Sequence, residues 1–343
     1  MKFRFVLASL LGLACTVFGC TASDRYRGHQ APDAPLITVL VPGYRGSFLY
    51  EENRRVYLEP ASAFRRGHES LGSCRGGMKP LEAGGPMTKF VIWPYAFDVY
   101  DGFMSWGEAK LPGFTAYGYD WRADLGWNGA QLCEFIGERK ANVIAHSMGG
   151  LVTMLAVQKC PEKIQAVVFA GVPFNGAPGL FKELFLGAST YQNTALLSPE
   201  ALWTFPATWQ LLPRTDDFFV DGEGKPVSLP ISAPETWAKW QLPCPERLNQ
   251  RLADRAAMPV TFEKAPARAL AVIGRGIPST KAQRIGANGF FEFDKPVRED
   301  GDGSVLVTNA TPAFPSETVF TTAEHVHLLD DANVRAAIEA FLK

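Results

Sequence analysis

Asn142-Val143-Ile144-Ala145-His146-Ser147-Met148-Gly149-Gly150 carries the first decision about this chain. Asn142 to Ala145 is an apolar, β-branched run and reads as a strand. Leu151, Met154 and Leu155 recur at helical spacing, so the stretch from Leu151 to Gln158 reads as a helix. A serine held at a sharp strand-to-helix turn is a nucleophile elbow. The turn is crowded, and side chains two positions before and two after the serine would collide. Ala145 and Gly149 occupy those positions with the smallest groups available. A helix-capping serine at an ordinary turn has a similar local look, so the rest of the chain must arbitrate.

A serine hydroxyl becomes a nucleophile when a base takes its proton and an acid orients that base. On an elbow of this kind the chain order is Ser, then Asp or Glu, then His. Of the five histidines, His29 and His68 precede the elbow and His146 lies inside it, which leaves His325 and His327. Both stand between a short strand signal, Thr318-Val319-Phe320, and a closing helix from Val334 to Leu342. Loop position favours His325. The acid must come earlier, at a strand end. Gly301-Asp302-Gly303-Ser304-Val305 offers Asp302 in a tight turn, with Asp300 as its neighbour and a plain Asp-Gly turn as the bland reading. Amide donors for a developing oxyanion are expected from Met148, directly after the serine, and from the glycine-bearing loop Val41-Pro42-Gly43-Tyr44-Arg45-Gly46-Ser47. There the donor is the N–H of Tyr44 or Arg45. This chemistry requires no metal or cofactor.

Outward from the elbow, apolar strand signals (Leu36 to Val41, Phe114 to Trp121, Asn142 to Ala145, Ile164 to Ala170, Ala269 to Gly274) alternate with a helical pattern from Trp127 to Lys140 and the one after Ser147. That alternation predicts an α/β fold with a mostly parallel central sheet flanked by helices. Residues 50–112 read as irregular. Residues 174–266 break the pattern with prolines such as Pro206, Pro213, Pro226, Pro230, Pro234, Pro243 and Pro245 and with four of the eight tryptophans, and read as a cap inserted in a hydrolase domain spanning 36–343. The cap's Trp203, Phe205, Trp209, Leu211, Leu212, Trp237 and Trp240 suit either a lipid-facing surface or a small core of its own.

The chain has 343 residues, 47% hydrophobic and 20% charged, with a net charge of −1. That balance, without a basic block, points away from nucleic acid. Lys2 and Arg4 followed by an apolar stretch to Phe18 read as an export leader over residues 1–19. Val17-Phe18-Gly19-Cys20 resembles a bacterial lipoprotein processing site. Acylation of Cys20 would tether the protein to a membrane of the cell envelope through the polar residues 20–35, with simple cleavage and secretion as the alternative and Cys15 as a weaker processing cysteine. Export permits disulfides among Cys74, Cys133, Cys160 and Cys244, in any of three pairings.

Taken in order, Val41 to Gly46, Tyr119-Asp120-Trp121-Arg122, Ala145 to Gly150, Gly171-Val172-Pro173-Phe174-Asn175-Gly176, Gly301 to Val305 and His325 resemble the lecithin:cholesterol acyltransferase family of α/β-hydrolases. The resemblance covers most of residues 36–342. It implies Ser147 as nucleophile, Asp302 as acid, His325 as base, an oxyanion donor near Arg45, and a lid between the first two strands. Ala145 stands where the family has glycine, and Cys74 alone falls in the region where the family's mammalian members close their lid with a disulfide, which predicts a looser or differently built lid. Asp120 and Arg122 read as a buried ion pair capped by Trp121, with positioning of a head group as the alternative.

Together these readings predict a serine ester hydrolase or acyltransferase acting on a lipid or other acyl ester. A thioesterase or peptidase would use the same triad, and a non-catalytic lipid-binding protein would have lost one of its members. Acyl specificity and oligomeric state are not written in these motifs.

Overall fold

The computed structural model describes residues 33–59, 69–92, 95–190 and 193–343. The leader, Cys15, Cys20 and the tether up to residue 32 lie outside them. Six parallel strands form the central sheet: β1 (Leu36–Val41), β2 (Phe114–Ala116), β3 (Lys140–His146), β4 (Ile164–Ala170), β5 (Ala269–Gly274) and β6 (Glu317–Thr321). Their order across the sheet is β6-β5-β4-β3-β1-β2. Five helices matter here: α1 (Asp101–Lys110), α2 (Leu125–Ile136), α3 (Met148–Lys159), α4 (Leu248–Ala257) and α5 (Ala332–Leu342).

The inner strands β1, β3, β4 and β5 read as largely continuous apolar runs because both faces are covered. Ile37, Val39, Val143, Ala145 and Val167 pack on one side with residues of α2 and α3, such as Leu132 and Val152. Leu40, Ile144, Val168 and Val272 pack on the other with Phe103 of α1 and Ile338 of α5. Alternation of period two sends successive side chains to opposite layers. The chain moves from β1 outward to β2 and then returns to the far side of β1 as β3. The sheet order therefore reverses between β1 and β3, and clefts form beyond the strand ends at such a point. The β1–β3 register, Val41 against Ala145, sets the loop after β1 directly beside Ser147.

Several boundaries differ from the sequence reading. The strand read from Phe114 to Trp121 ends at Ala116, and by Tyr119 the backbone N–H has turned to Ser47 Oγ, 3.3 Å away. The helix read over Trp127 to Lys140 starts at Leu125, where the Asp124 carboxylate accepts from Trp127 N, and stops at Ile136 before Gly137 at φ 65°. Region 50–112, read as irregular, contains α1 and several short strands.

Residues 174–266 hold short helical pieces, small strands and α4. Their aromatics do not form a lipid-facing surface. Trp203, Trp209 and Trp237 are fully buried and meet ring to ring at 5.0–5.8 Å, while Trp240 and Leu212 are buried in the same cluster. Phe205 and Leu211 are buried in the main core instead. The four cysteines form Cys74–Cys244 and Cys133–Cys160. The first of these bonds joins the segment at Cys74, where the resemblance implied a lid, to Cys244 within residues 174–266.

Tyr119-Asp120-Trp121-Arg122 is a knot under the site. Tyr119 Oη donates to Pro42 O at 2.7 Å and Trp121 Nε1 to Ser47 O at 3.1 Å. Arg122 is fully buried, grips Asp120 with two bonds of 2.8 and 2.7 Å, and donates to Leu71 O. These contacts support the ion-pair reading and leave Arg122 no face toward a head group. Removing one partner of such a pair costs about 3–5 kcal/mol. Arg122→Met should therefore lower the urea midpoint sharply, and an unchanged midpoint would refute the structural role.

Candidate active site

Ser147 follows β3 and caps α3 with φ 53° and ψ −128°, a left-handed conformation that a non-glycine residue adopts only under strain. Two glycines permit the close approach around it. A Cβ on Gly149 would lie 2.4 Å from the carbonyl oxygens of Val41 and Pro42, and one on Gly43 would lie 2.8 Å from Ser147 Cβ. The methyl of Ala145 is accepted, fully buried in the main core.

His325 sits in the loop between β6 and α5. Its Nε2 lies 2.9 Å from Ser147 Oγ and its Nδ1 2.7 Å from Asp302 Oδ2. Asp302, 2% exposed, accepts at Oδ1 from the N–H groups of Ser304 at 2.9 Å and Val305 at 2.7 Å. Burial works against its charge, but the His325 ring, its hydrogen bond and the two amides prevail and hold the carboxyl below its usual range. Sequence thus placed three distant side chains that the fold brings together. The runners-up stay apart. His327 is half exposed and pairs with Asp330 at 3.1 Å, and Asp300 accepts from Gly276 N.

On the loop after β1, Gly43 N–H donates to Tyr100 Oη at 2.9 Å and Gly46 N–H to Gly43 O at 3.0 Å. Tyr44 and Arg45 are the remaining backbone donors between them. Arg45 has φ 63°, and Met148 N–H begins α3, where the first amides have no partner within the helix. The side chains of this loop tie it to the insertion: Tyr44 Oη to Thr208 Oγ1 at 2.7 Å and Arg45 Nη2 to Glu183 Oε2 at 2.5 Å. Gly43, Tyr44, Arg45, Tyr100, His146, Ser147 and His325 line a cavity of about 220 Å³. A larger cavity of about 690 Å³, between Met78–Ala83 and α2, contains neither Ser147 nor His325 and shares no lining residue with the first. Among the described residues one cluster has metal-ligand atoms together, Cys74, Cys244 and Glu246, and its two sulfurs are bonded to each other.

Sequence reasoning missed Tyr100 and gave His146 no role. His146 is 4% exposed, and burial followed by the neighbouring His325 charge lowers its pKa from 6.5 to about 3. Above pH 6.5 the unfolded histidine is neutral too, so the folded state keeps its full advantage. As pH falls from 6.5 toward about 3, the unfolded chain takes a proton that folded His146 refuses. Stability then falls by roughly 1.4 kcal/mol per pH unit, on the order of 4–5 kcal/mol over the window. Between pH 7 and 4.5 the wild type should lose roughly 2–3 kcal/mol more than His146→Gln in urea titrations, and equal losses would contradict the buried neutral ring.

A stretch of 113 residues, 31% of this chain, is 29% identical to the uncharacterized protein YJR098C of Saccharomyces cerevisiae, of which it covers 17%. Among solved structures, the Tle4-Tli4 complex contains a chain that aligns over 91% of this one and 98% of its own length, at 12% identity and a TM-score of 0.56. That likeness is one of fold. The mature Bacillus licheniformis lipase BlEst2 aligns over 92% of this chain and 95% of its own at 13% identity, with a TM-score of 0.41. Residues 38–337 match the alpha/beta hydrolase family, in keeping with the parallel sheet and the serine at its turn, and the chain belongs to that family.

Proposed function

We propose that this hydrolase is a serine-dependent ester hydrolase or O-acyltransferase that works through an acyl-enzyme on Ser147. The observation that carries the reading is the unbroken contact from Ser147 Oγ through His325 to Asp302, at 2.9 and 2.7 Å. In this mechanism His325 Nε2 takes the serine proton as Oγ attacks the acyl carbonyl, and Asp302 steadies the imidazolium. The amide of Met148, with that of Tyr44 or Arg45, receives the oxyanion. His325 then protonates the leaving alcohol, and water or a second alcohol removes the acyl group by the same steps in reverse. The lipid class of substrate is proposed from the resemblance of the Val41, Tyr119, Ser147 and Asp302 stretches to lecithin:cholesterol acyltransferases. The intact triad argues against a binding protein that has lost its chemistry.

A fluorophosphonate should label Ser147, and labelling should vanish in Ser147→Ala; inert folded wild type would overturn the proposal. A panel of phospholipids, triacylglycerols, thioesters and peptides then tests the substrate class, and peptide turnover with inert lipids would displace the lipid assignment. Export and membrane attachment through Cys20 are proposed from the leader alone. Metabolic labelling with an alkyne fatty acid, lost in Cys20→Ala, is the expected result, and secreted unlabelled protein would refute it. Among the described residues no helix is long and apolar enough to cross a membrane.

A further inference from the structure

Tyr100 is 2% exposed, and its hydroxyl joins two loops of the site. It accepts from Gly43 N–H at 2.9 Å and meets His146 Nδ1 at 2.7 Å. The other nitrogen of that ring, Nε2, lies 2.8 Å from the backbone carbonyl of His325. The chemistry of the groups fixes the direction of each bond. A carbonyl only accepts, so His146 Nε2 carries a hydrogen. A neutral imidazole then has a bare Nδ1, which must accept, so the Tyr100 O–H donates to it. Because the phenol has only that one hydrogen, its lone pair is what faces Gly43 N–H. Burial favours the neutral form of both groups, pushing the phenol up and the imidazole down.

The chain of contacts touches every moving part of the proposed reaction. Gly43 is the residue before the Tyr44 and Arg45 amides. His146 is the residue before Ser147. The carbonyl it holds belongs to the residue whose ring faces Ser147 Oγ. The N–H of His325 is held as well, by Asp302 O at 2.9 Å. With both backbone groups fixed and Nδ1 on Asp302, the His325 ring has little freedom left. Catalytic geometry tolerates shifts of only about 0.5 Å, and a misplacement of about 1 Å costs roughly 10²-fold in rate.

We infer that Tyr100 and His146 are positioning residues, a buried phenol–imidazole pair that holds the oxyanion loop, the nucleophile strand and the base loop in one register. This rests on the triad reading above. Removing the phenol hydroxyl frees Gly43 N–H and leaves the bare Nδ1 of His146 without its donor, while Nε2–H stays on the His325 carbonyl. The loop after β1 is then no longer tied to the His146 ring, and the register between the oxyanion loop and the Ser147 and His325 segments loosens.

The test combines rates with a spectrum. Tyr100→Phe should lower kcat and the rate of fluorophosphonate labelling by about 10–100-fold with KM within about 2-fold. His146→Gln, whose amide keeps a donor toward His325 O, should stay within about 10-fold of wild type, and His146→Phe, which keeps none, should fall about 100-fold. A purely structural role would give no rescue by glutamine over phenylalanine. Nitrogen-15 spectra of wild type and of Ser147→Ala should show His146 protonated at Nε2 and bare at Nδ1, unchanged from pH 5 to 9. That measurement needs no variant at Tyr100 or His146, so it decides even where those variants fail to fold. An Nδ1–H tautomer, a doubly protonated ring, or wild-type rates in Tyr100→Phe would overturn the inference. Labelling that persists in Ser147→Ala would instead overturn the triad reading, and the positioning role with it. Labelling that needs Ser147 but ignores Tyr100 would overturn the positioning role alone.

Discussion

Ser147→Ala should lower turnover by roughly 10⁶-fold, about 8 kcal/mol of lost transition-state stabilisation, while the protein stays folded. The size of the effect follows from the division of labour. His325 and Asp302 act on the substrate only through the serine oxygen, so without it they have nothing to activate. What remains is binding and the amide donors, which leave a residual acceleration of roughly 10³–10⁴ over water. A companion variant separates chemistry from strain. Ser147 stands at φ 53°, where a side chain is strained by roughly 1–3 kcal/mol and glycine is not. Glycine gives back about 0.5–1 kcal/mol through the freer unfolded chain. Ser147→Gly should therefore be as inactive as Ser147→Ala and melt higher by about 1 kcal/mol of stability. Calorimetry on the three proteins, with turnover of a short activated ester, tests both halves. An alanine variant within 10²-fold of wild type would remove Ser147 from the mechanism, and a glycine variant that melts lower than alanine would remove the strain.

The parts of this site that were legible in the sequence are those that the backbone imposes locally. The elbow showed because a strained turn excludes large side chains at Ala145 and Gly149, and because β3 and α3 have unmistakable patterns on either side. Asp302 and His325 followed from chain order, since from β3 onward the sheet grows in one direction and delivers its loops in sequence. What was illegible depends on contacts between segments. Tyr100 is one tyrosine of nine, and nothing in Asp98-Val99-Tyr100-Asp101 indicates that its hydroxyl will reach residue 43 on one side and 146 on the other. The helix α1 escaped notice because its buried Phe103, Met104 and Gly107 form a narrow stripe in a glycine- and charge-rich stretch. The aromatics of the insertion had two readings because a small core and a lipid-facing surface use the same residues. Their burial decides between them. The pairing of Cys74 with Cys244 spans 170 residues, a separation over which spacing carries no information.

Asp302→Asn is the other large effect, and here the surroundings of the carboxylate determine the outcome more than the loss of its charge. Oδ1 of Asp302 accepts from two backbone amides, Ser304 and Val305, at 2.9 and 2.7 Å. An asparagine must turn its carbonyl oxygen to those donors, because its NH₂ would meet them hydrogen against hydrogen. The NH₂ then replaces Oδ2, 2.7 Å from His325 Nδ1. A donor at that position requires a bare Nδ1, so the His325 hydrogen moves to Nε2 and points at Ser147 Oγ. The ring that should take the serine proton now donates to the serine. The arrangement loses its base with its geometry intact, and a loss of about 10⁴-fold in kcat is expected, as a wrong tautomer costs in serine proteases. KM should change little, since no substrate contact is removed. The stability difference between wild type and variant should also depend on pH. The Asp302 carboxyl is held below its usual range in the fold, so it stabilises the protein above the unfolded pKa, and that contribution is lost as pH falls through the folded value. Asparagine has no such dependence, so the variant's deficit should be largest near neutral pH and shrink toward the acid end. Nitrogen-15 spectra that show His325 still protonated at Nδ1 in Asp302→Asn, or a variant that retains more than about a tenth of the wild-type kcat, would show that this carboxylate does not set the tautomer of the base.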